Sequence, residues 1–270
     1  MQSPSSEHSS SHWRKPPFIE RAWLRRSLYA AALLYLLLAL SSLEVNWSRV
    51  AEGLSRGLAF VSAFLQPDFT SRNTDIIQGF IESLTMTLTS TALGTALAIP
   101  FALGAASNLA PRGIYFFCRG FIAVSRTLNE IIVAILLVAM FGFGPFAGFL
   151  TLTFASIGFM AKLLAEDIEE IQTQQLEALR STGASTAQVL DFAVLSQIMP
   201  RLVGLSLYRL DINFRESSVI GIVGAGGIGA TLNTAMDRYE FDTAAAILIV
   251  IIAIVMLAEY GSGWIRKRIL

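Results

Sequence analysis

Long runs of apolar residues constrain the fold of this chain more than any other feature of its sequence. A helix needs about 20 mostly apolar residues to cross a bilayer, because every backbone amide there must be hydrogen-bonded within the segment. Hydrophobic residues make up 54% of the chain and charged residues only 15%, as is typical of membrane proteins. Six runs predict an all-α membrane protein with six transmembrane helices, at about 24–43, 82–106, 126–143, 147–164, 200–222 and 243–262.

Basic residues predict the orientation of these helices, because Lys and Arg are held on the cytoplasmic side during insertion. Five lie before or at the start of the first run and three follow the last: Arg14, Lys15, Arg21, Arg25 and Arg26, then Arg266, Lys267 and Arg268. Only four of the twenty fall in the predicted outer segments: Arg49, Arg56, Arg72 and Arg238. Both termini are therefore expected in the cytoplasm. The first run is too long for a signal-peptide core, so we expect it to be retained.

The chain is predicted to have three regions. Residues 1–20 form a disordered cytoplasmic tail, because their Ser-rich beginning has too few apolar groups to pack. Residues 21–76 form the first transmembrane helix and an outer amphipathic segment, and residues 77–270 form a five-helix core with a cytoplasmic loop at about 165–199. Four apolar residues in the outer segment suit either a helix at the membrane surface or a packed loop helix: Leu54, Leu58, Val61 and Leu65.

Composition disfavours several classes of function. Cys118 is the only cysteine, and His8 and His12 lie in the tail, so we expect no disulfide framework, no metal site and no enzymatic activity. Twenty basic residues balance twenty acidic ones, so net charge does not indicate a nucleic-acid partner. A secondary transporter would be expected to carry an internal repeat, and none is visible in the sequence.

The polar loop between the fourth and fifth runs is much longer than a turn requires, and such loops often dock another molecule. It reads KLLAEDIEEIQTQQLEALRSTGASTAQVLDF, and Gly183 separates two helical patterns within it. The second pattern is predicted to place Ala187, Leu190 and Val194 on one face. The loop therefore predicts two short helices joined at a glycine.

This loop resembles the E-A-A, G and L-P pattern of binding-protein-dependent ABC importer permeases. The matching positions are Glu177, Ala178, Gly183, Leu195 and Pro200. The chain departs from the pattern at Leu179, where the family often has a second alanine, and at Met199, where it usually has leucine.

The resemblance implies a type I importer permease in the bacterial inner membrane, surrounded by lipid. Its loop would dock a cytoplasmic ATPase through Glu177, Ala178, Arg180, Gly183, Ala184 and Gln188. The chain has no G-x-x-x-x-G-K-[ST] motif, so it is expected to bind no cofactor itself, and ATP and Mg would lie on two ATPase subunits. The other implied partners are a second permease copy and a periplasmic or lipid-anchored binding protein.

A second resemblance concerns the phosphonate-type branch of these permeases. It is carried by DINFRESSVIGIVGAGGIG at 211–229, GFGPFAG at 142–148, KLLAEDIEEI at 162–171, QPDF at 66–69 and Asn108. Together these segments span roughly residues 60–265. The branch implies import of a phosphonate, phosphite, hypophosphite or phosphate ester, with an amino acid such as methionine as the alternative substrate.

Gly224, Gly226 and Gly229 also spell the G-x-G-x-x-G pattern of dinucleotide-binding units. The context disagrees, because the pattern follows an apolar membrane segment instead of an isolated strand. The glycines are expected either to permit close backbone packing or a broken helix near the transport route, or to form a tight outer turn without ligand contact.

Ionisable residues crowd the fifth run, where they are costly unless they face protein, water or one another. Arg215 and Asp211 can pair on one helix face, or arginines can line a route for an anion. The candidate route residues are Arg209, Asn213, Arg215, Ser217, Ser218, Gly224, Gly226 and Gly227. Arg126 and Glu130, one helical turn apart, are predicted to form a local salt bridge or, alternatively, to contribute a gate. Lys162 and Glu166 repeat this spacing and are predicted to pair in support of the loop.

Overall fold

The computed structural model describes residues 19, 21–42 and 46–269, and all regular elements among them are helices. The tail predicted for residues 1–20 lies almost wholly outside this part of the chain. The helices are α1 Ala22–Ser41, α2 Trp47–Phe64, α3 Asn73–Ala105, α4 Arg112–Thr127, α5 Glu130–Phe141, α6 Pro145–Glu169, α7 Thr173–Ser181, α8 Thr186–Val189, a π-helix Leu190–Leu195, α9 Ser196–Ile222, α10 Ile228–Asp237 and α11 Phe241–Ile269.

Five stretches of the described chain are individually long and apolar enough to cross a membrane: α1, α3, α6, Thr186–Ile222 and α11. The pair α4 and α5 adds a sixth if it is counted as one broken span, because the two helices meet at an angle of 94°. The prediction of an all-α membrane protein with several spans is therefore confirmed, and six crossings require the broken pair.

The predicted continuous span at 126–143 is wrong. α4 ends at Thr127, and α5 covers only 12 residues, or about 18 Å against a hydrocarbon core of about 30 Å. The side chain of Asn129 accepts a hydrogen bond of 2.8 Å from the Ile131 N–H and caps the start of α5. The break lies among polar residues, Ser125, Arg126, Thr127, Asn129 and Glu130, and the apolar run that follows it is too short to cross the bilayer by itself.

The described chain divides into two compact units, one ending at Leu58 and the other beginning at Ala59. In the first unit, α1 exposes its apolar side chains along its whole length. The division falls within α2, which covers most of the predicted amphipathic segment, and its apolar residues Leu54, Leu58 and Val61 are exposed.

In the second unit, α3 and α6 pack closely because small residues line their contact. A β-carbon added to Gly94 would lie 2.5 Å from the β-carbon of Ser156. We call the end of the bundle that contains Ser107 and residues 170–195 the loop end. Buried alanines extend the α3–α6 contact towards this end: Ala98, Ala102, Ala105, Ala161 and Ala165.

The opposite end, which we call the glycine end, contains the break between α9 and α10 at residues 223–227. Gly224, Gly226 and Gly227 have φ values of +94°, +77° and +74°, a region that favours glycine. The Gly144 N–H donates a 3.0 Å hydrogen bond to the Gly224 carbonyl. A β-carbon on Gly226 would lie 2.6 Å from the backbone nitrogen of Pro145. The glycines therefore permit close backbone packing at a break between two helices, and their role in a transport route stays a prediction.

Two side chains of α3 cap the start of α10. Glu82 accepts a 3.1 Å hydrogen bond from the Gly227 N–H, and Ser83 accepts one of 2.9 Å from the Ile228 N–H. These bonds satisfy amides that a helix start leaves unpaired. The glycine break is thus held by α3 as well as by the chain around Pro145.

We expect Gly226→Ala to destabilise the protein by about 2 kcal/mol or more, because it combines a positive φ with a backbone clash. The measurement is the midpoint of thermal unfolding of the purified protein in lipid nanodiscs. Gly120→Ala is the matched control, since its β-carbon would meet open space on α4. Equal midpoints for the Gly226→Ala variant and the unsubstituted protein would contradict the assigned packing.

Candidate functional site

Polar side chains of α9 are buried on one side of the helix. Arg209 and Asn213, four residues apart, are 3% and 0% exposed, and Ser217 follows after another four residues and is also buried. Residues at this spacing share a helix face. In a helix that can span a membrane, such groups need partners on the neighbouring helices.

Hydrogen bonds connect this face to α3 and α6. Asn213 Nδ2 donates to Thr91 Oγ1 at 2.8 Å and to Ser156 Oγ at 2.9 Å. Arg209 Nε donates to Ser156 Oγ at 3.0 Å. We call these four residues, Thr91, Ser156, Arg209 and Asn213, the polar chain. It joins three of the long helices near their middle.

The charge of Arg209 is balanced by Glu130. Arg209 Nη2 lies 3.5 Å from Glu130 Oε1, and the guanidinium carbon lies 5.4 Å from the ring centroid of Phe159. Glu130 is in the first turn of α5, where the helix dipole favours a carboxylate. The guanidinium therefore contacts an anion, an aromatic face and a hydroxyl.

The predicted pair of Arg126 and Glu130 is wrong, because the chain turns between α4 and α5 and the two residues are not on one helix. Arg126 instead places its guanidinium carbon 5.7 Å from the ring centroid of Phe159, the same ring that Arg209 contacts. The predicted pair of Lys162 and Glu166 is confirmed, at 3.9 Å on α6.

The other candidate route residues fall in two separate places. Arg215 is 59% exposed and pairs with Asp211 at 3.0 Å, so the predicted pair on one face of α9 is present. Ser217 and Ser218 are buried near the end of α9. Gly224, Gly226 and Gly227 lie in the break that follows. The structure thus brings Arg209 and Asn213 together and leaves Arg215 on a different, exposed side.

The predicted docking loop has one buried and one exposed face. Leu176 and Val189 are buried in the core at the loop end. Of the six candidate coupling residues, Ala184 is half-buried. The other five are exposed: Glu177, Ala178, Arg180, Gly183 and Gln188. Six residues that the sequence singled out therefore share a short surface segment, 177–188, which we call the coupling segment.

Gly183 joins α7 and α8 at a φ of +79°, which confirms two short helices linked at a glycine. The predicted face of the second helix is correct only in part. Val194 is buried and Leu190 packs against the core, but Ala187 is exposed, and Val189 and Ala193 are buried as well. The reason is that α8 has only four residues and continues into the π-helix, whose wider turns shift the buried face.

Gln188 also helps to cap the start of α8. Its Oε1 accepts a 2.8 Å hydrogen bond from the Ser185 N–H, while Ser185 Oγ accepts one of 3.4 Å from the Gln188 N–H. This reciprocal arrangement is a capping box. Gln188 therefore stabilises the segment locally, whatever it contacts on its exposed side.

Sequence reasoning missed the ion pair that anchors this end of the bundle. Arg119 Nη2 contacts Glu169 Oε1 at 2.9 Å, and the same oxygen accepts a 2.7 Å hydrogen bond from the Ser107 N–H. Asn108 Nδ2 donates to the Ile168 carbonyl at 2.9 Å. The available signal was the resemblance at Asn108 and at KLLAEDIEEI, two segments that prove to be in contact.

At the glycine end, the turn around Asp68 lies against the start of α11. The Asp68 N–H donates to the Asp242 carbonyl at 3.2 Å. Hydroxyl and backbone N–H groups of Ser71 and Thr70 donate to the Asp68 carboxylate and hold its pKa well below the usual range. Arg72 adds an ion pair of 2.6 Å with Glu240.

We expect Asn213→Ala to lower the stability of the protein by about 1–3 kcal/mol, because it removes the shared partner of Thr91 and Ser156. Asn233→Ala is the control, since the hydrogen bond that Asn233 makes within the described residues is a local one, to Asp237 on α10. Thermal unfolding in nanodiscs measures both. A smaller loss for Asn213→Ala than for Asn233→Ala would show that the polar chain does not stabilise the bundle.

The chain resembles known proteins over most of its length. A family model described as binding-protein-dependent transport system inner membrane component matches residues 98–270. The chain is 43% identical over 228 residues to the phosphate-import permease protein PhnE of Mycolicibacterium smegmatis, covering 84% of this chain and 43% of that protein. It is 38% identical over 205 residues to the phosphite transport system permease protein PtxC of Stutzerimonas stutzeri, covering 76% and 74%.

This chain thus spans less than half the length of the first relative. A chain of a methionine ABC transporter, solved in an inward-facing conformation, matches with a TM-score of 0.63 at 21% identity. The match covers 74% of this chain and 99% of that chain. At this identity, the likeness establishes a shared fold.

Proposed function

Because the chain belongs to the family of binding-protein-dependent transport system inner membrane components, which are multi-pass membrane permeases, we propose that it is the permease subunit of an ATP-driven importer for a small phosphorus oxyanion. The observation that carries the proposal is its similarity, at 38–43% identity, to permeases named for phosphate and phosphite. The candidate substrates are phosphonate, phosphite, hypophosphite and phosphate esters.

The charges of α9 suit an anion. Arg209 and Arg215 both belong to α9 and carry guanidinium groups. The paired N–H donors of a guanidinium can form two hydrogen bonds to the oxygens of a phosphorus oxyanion. Each arginine already faces a carboxylate, which weakens its attraction for an external anion. Weak attraction suits transport, since a tightly held substrate would be released slowly.

We assign the coupling segment to ATPase docking at the cytoplasmic side. Its exposed residues sit on a support that is buried in the core, so a force applied there can reach α9 through the π-helix. Two ATPase subunits would carry ATP and Mg, a second copy of this chain would complete the permease, and a binding protein would deliver substrate at the glycine end. Both termini would then lie in the cytoplasm.

Uptake by the reconstituted complex tests this function. The permease, its ATPase and its binding protein are placed in proteoliposomes, and ATP-dependent uptake of phosphite, methylphosphonate, phosphate and methionine is measured. We expect uptake of at least one phosphorus compound and none of methionine. Uptake of methionine alone would contradict the proposed substrate class.

We expect Glu177→Lys and Gly183→Val each to lower substrate-stimulated ATP hydrolysis by about tenfold, the factor that corresponds to 1.4 kcal/mol. The first reverses an exposed charge, and the second forces a β-branched residue to a φ of +79° without a steric clash. Co-purification of the ATPase with the permease reports docking. Glu52→Lys, on exposed α2, is the control, and normal docking and transport by both coupling variants would refute the assignment.

We expect Arg215→Ala to reduce oxyanion uptake by about tenfold while assembly and basal ATP hydrolysis persist, because Arg215 is exposed and its loss leaves the core intact. Arg238→Ala provides a matched exposed arginine on the loop after α10. Unchanged uptake would leave Arg215 only its pairing role with Asp211. Loss of assembly would likewise favour a structural role.

A further inference from the structure

The guanidinium of Arg209 is held firmly on one side and loosely on the other. Nε donates to Ser156 at 3.0 Å, within the buried polar chain. Nη2 is also buried but makes no hydrogen bond within the described part of the chain, and Glu130 Oε1 stands 3.5 Å away. Charge-assisted hydrogen bonds between such groups are normally about 2.7–2.9 Å long. The ion pair therefore has room to shorten, or to exchange its anion.

Glu130 occupies the accessible side of this pair. Its side chain is 29% exposed, whereas that of Arg209 is 3% exposed. It is also the first residue of α5, directly after the 94° break. A small change of backbone angle at Leu128 or Asn129 would move the carboxylate away from Arg209, as hinges at the ends of helices do.

A second cation lies beside the first. Arg126 is exposed at the end of α4, and its guanidinium contacts the same Phe159 ring as that of Arg209. Glu216, two turns beyond Arg209 on the same side of α9, is half-buried. Arg126 and Glu130 thus lie on either side of the α4–α5 break beside Arg209. Glu216 also acts electrostatically on Arg209, and the exposed Arg215 acts on Glu216.

We propose that Glu130 is an internal counter-ion, which occupies an anion site on Arg209 and is displaced by the oxyanion during transport. The inference rests on the proposed function and names the group that regulates the site. A tetrahedral oxyanion would enter beside Arg126, take the position of the Glu130 carboxylate against Arg209 Nη2, and leave when Glu130 returns. Competition by the carboxylate keeps binding weak and makes release possible.

Direct binding of phosphite tests the exchange. The permease–ATPase complex in nanodiscs, without binding protein, is titrated with sodium phosphite in a calorimeter at low chloride concentration. We expect Glu130→Gln to bind phosphite about tenfold more tightly than the unsubstituted complex, because the competing carboxylate is gone while the amide keeps its size. The double variant Glu130→Gln with Arg209→Gln should lose binding. Glu52→Gln is the control, because it removes the carboxylate of another glutamate–arginine pair, which is exposed on α2. This variant should bind phosphite as the unsubstituted complex does.

Transport kinetics separate this role from a purely structural one. With the binding protein added, Glu130→Gln should lower the maximal uptake rate about tenfold, because release becomes slow. A pair that only braces the helices predicts that the neutral double variant, which keeps two amides in place, regains normal uptake. That recovery, or equal or undetectable phosphite binding by Glu130→Gln and the unsubstituted complex, would overturn the proposal.

A second variant and a separate uptake measurement distinguish failure of this proposal from failure of the proposed function. If Glu130→Gln does not assemble, Glu130→Asp retracts the carboxylate and should tighten phosphite binding by a smaller factor, and unchanged binding overturns the proposal. Uptake by the unsubstituted complex alone tests the phosphorus-importer function. Normal uptake together with unaltered binding by the Glu130 variants would therefore reject the counter-ion and leave the proposed function standing.

Discussion

A guanidinium ion in the middle of an apolar helix is the constraint on which the centre of this structure depends. Arg209 is almost fully buried, and a buried cation without partners would cost several kcal/mol. Ser156 on α6, Glu130 on α5 and the ring of Phe159 supply those partners. The break between α4 and α5 places Glu130 within reach, so the interrupted third span and the buried charge of α9 belong to one arrangement.

α9 connects the two ends of the bundle. It directly follows the π-helix next to the coupling segment and is itself followed by the glycine break. Between these two points, the polar chain joins α9 to α3 and α6. Hydrogen bonds in a low-dielectric interior resist separation of the helices that share them. A displacement at the loop end would therefore move α9 together with its buried partners, which is a physical route between the proposed ATPase docking site and the proposed anion site.

Segments that are far apart in sequence but resemble the phosphonate-type branch lie against one another in space. The Gly144–Pro145 turn packs on the glycine break, with Gly144 bonded to Gly224. Asn108 bonds to the Ile168 carbonyl within KLLAEDIEEI. Because these contacts use backbone atoms at close range, they tolerate few side chains, which gives the short motifs a structural reason to occur together.

The sequence by itself determined the helical membrane class, most of the span positions, the two short helices linked at Gly183, and the i, i+4 pairs at 162–166 and 211–215. These features are local: hydropathy over about 20 residues, a glycine at positive φ, and side chains one turn apart. Only the tertiary structure decided that Glu130 pairs with Arg209 instead of Arg126, that Asn213 bonds to Thr91 and Ser156, and that Arg215 is exposed while Arg209 is buried. Those outcomes depend on which helices meet and on the direction in which the chain turns between α4 and α5. Neither is encoded in the periodicity of a single segment.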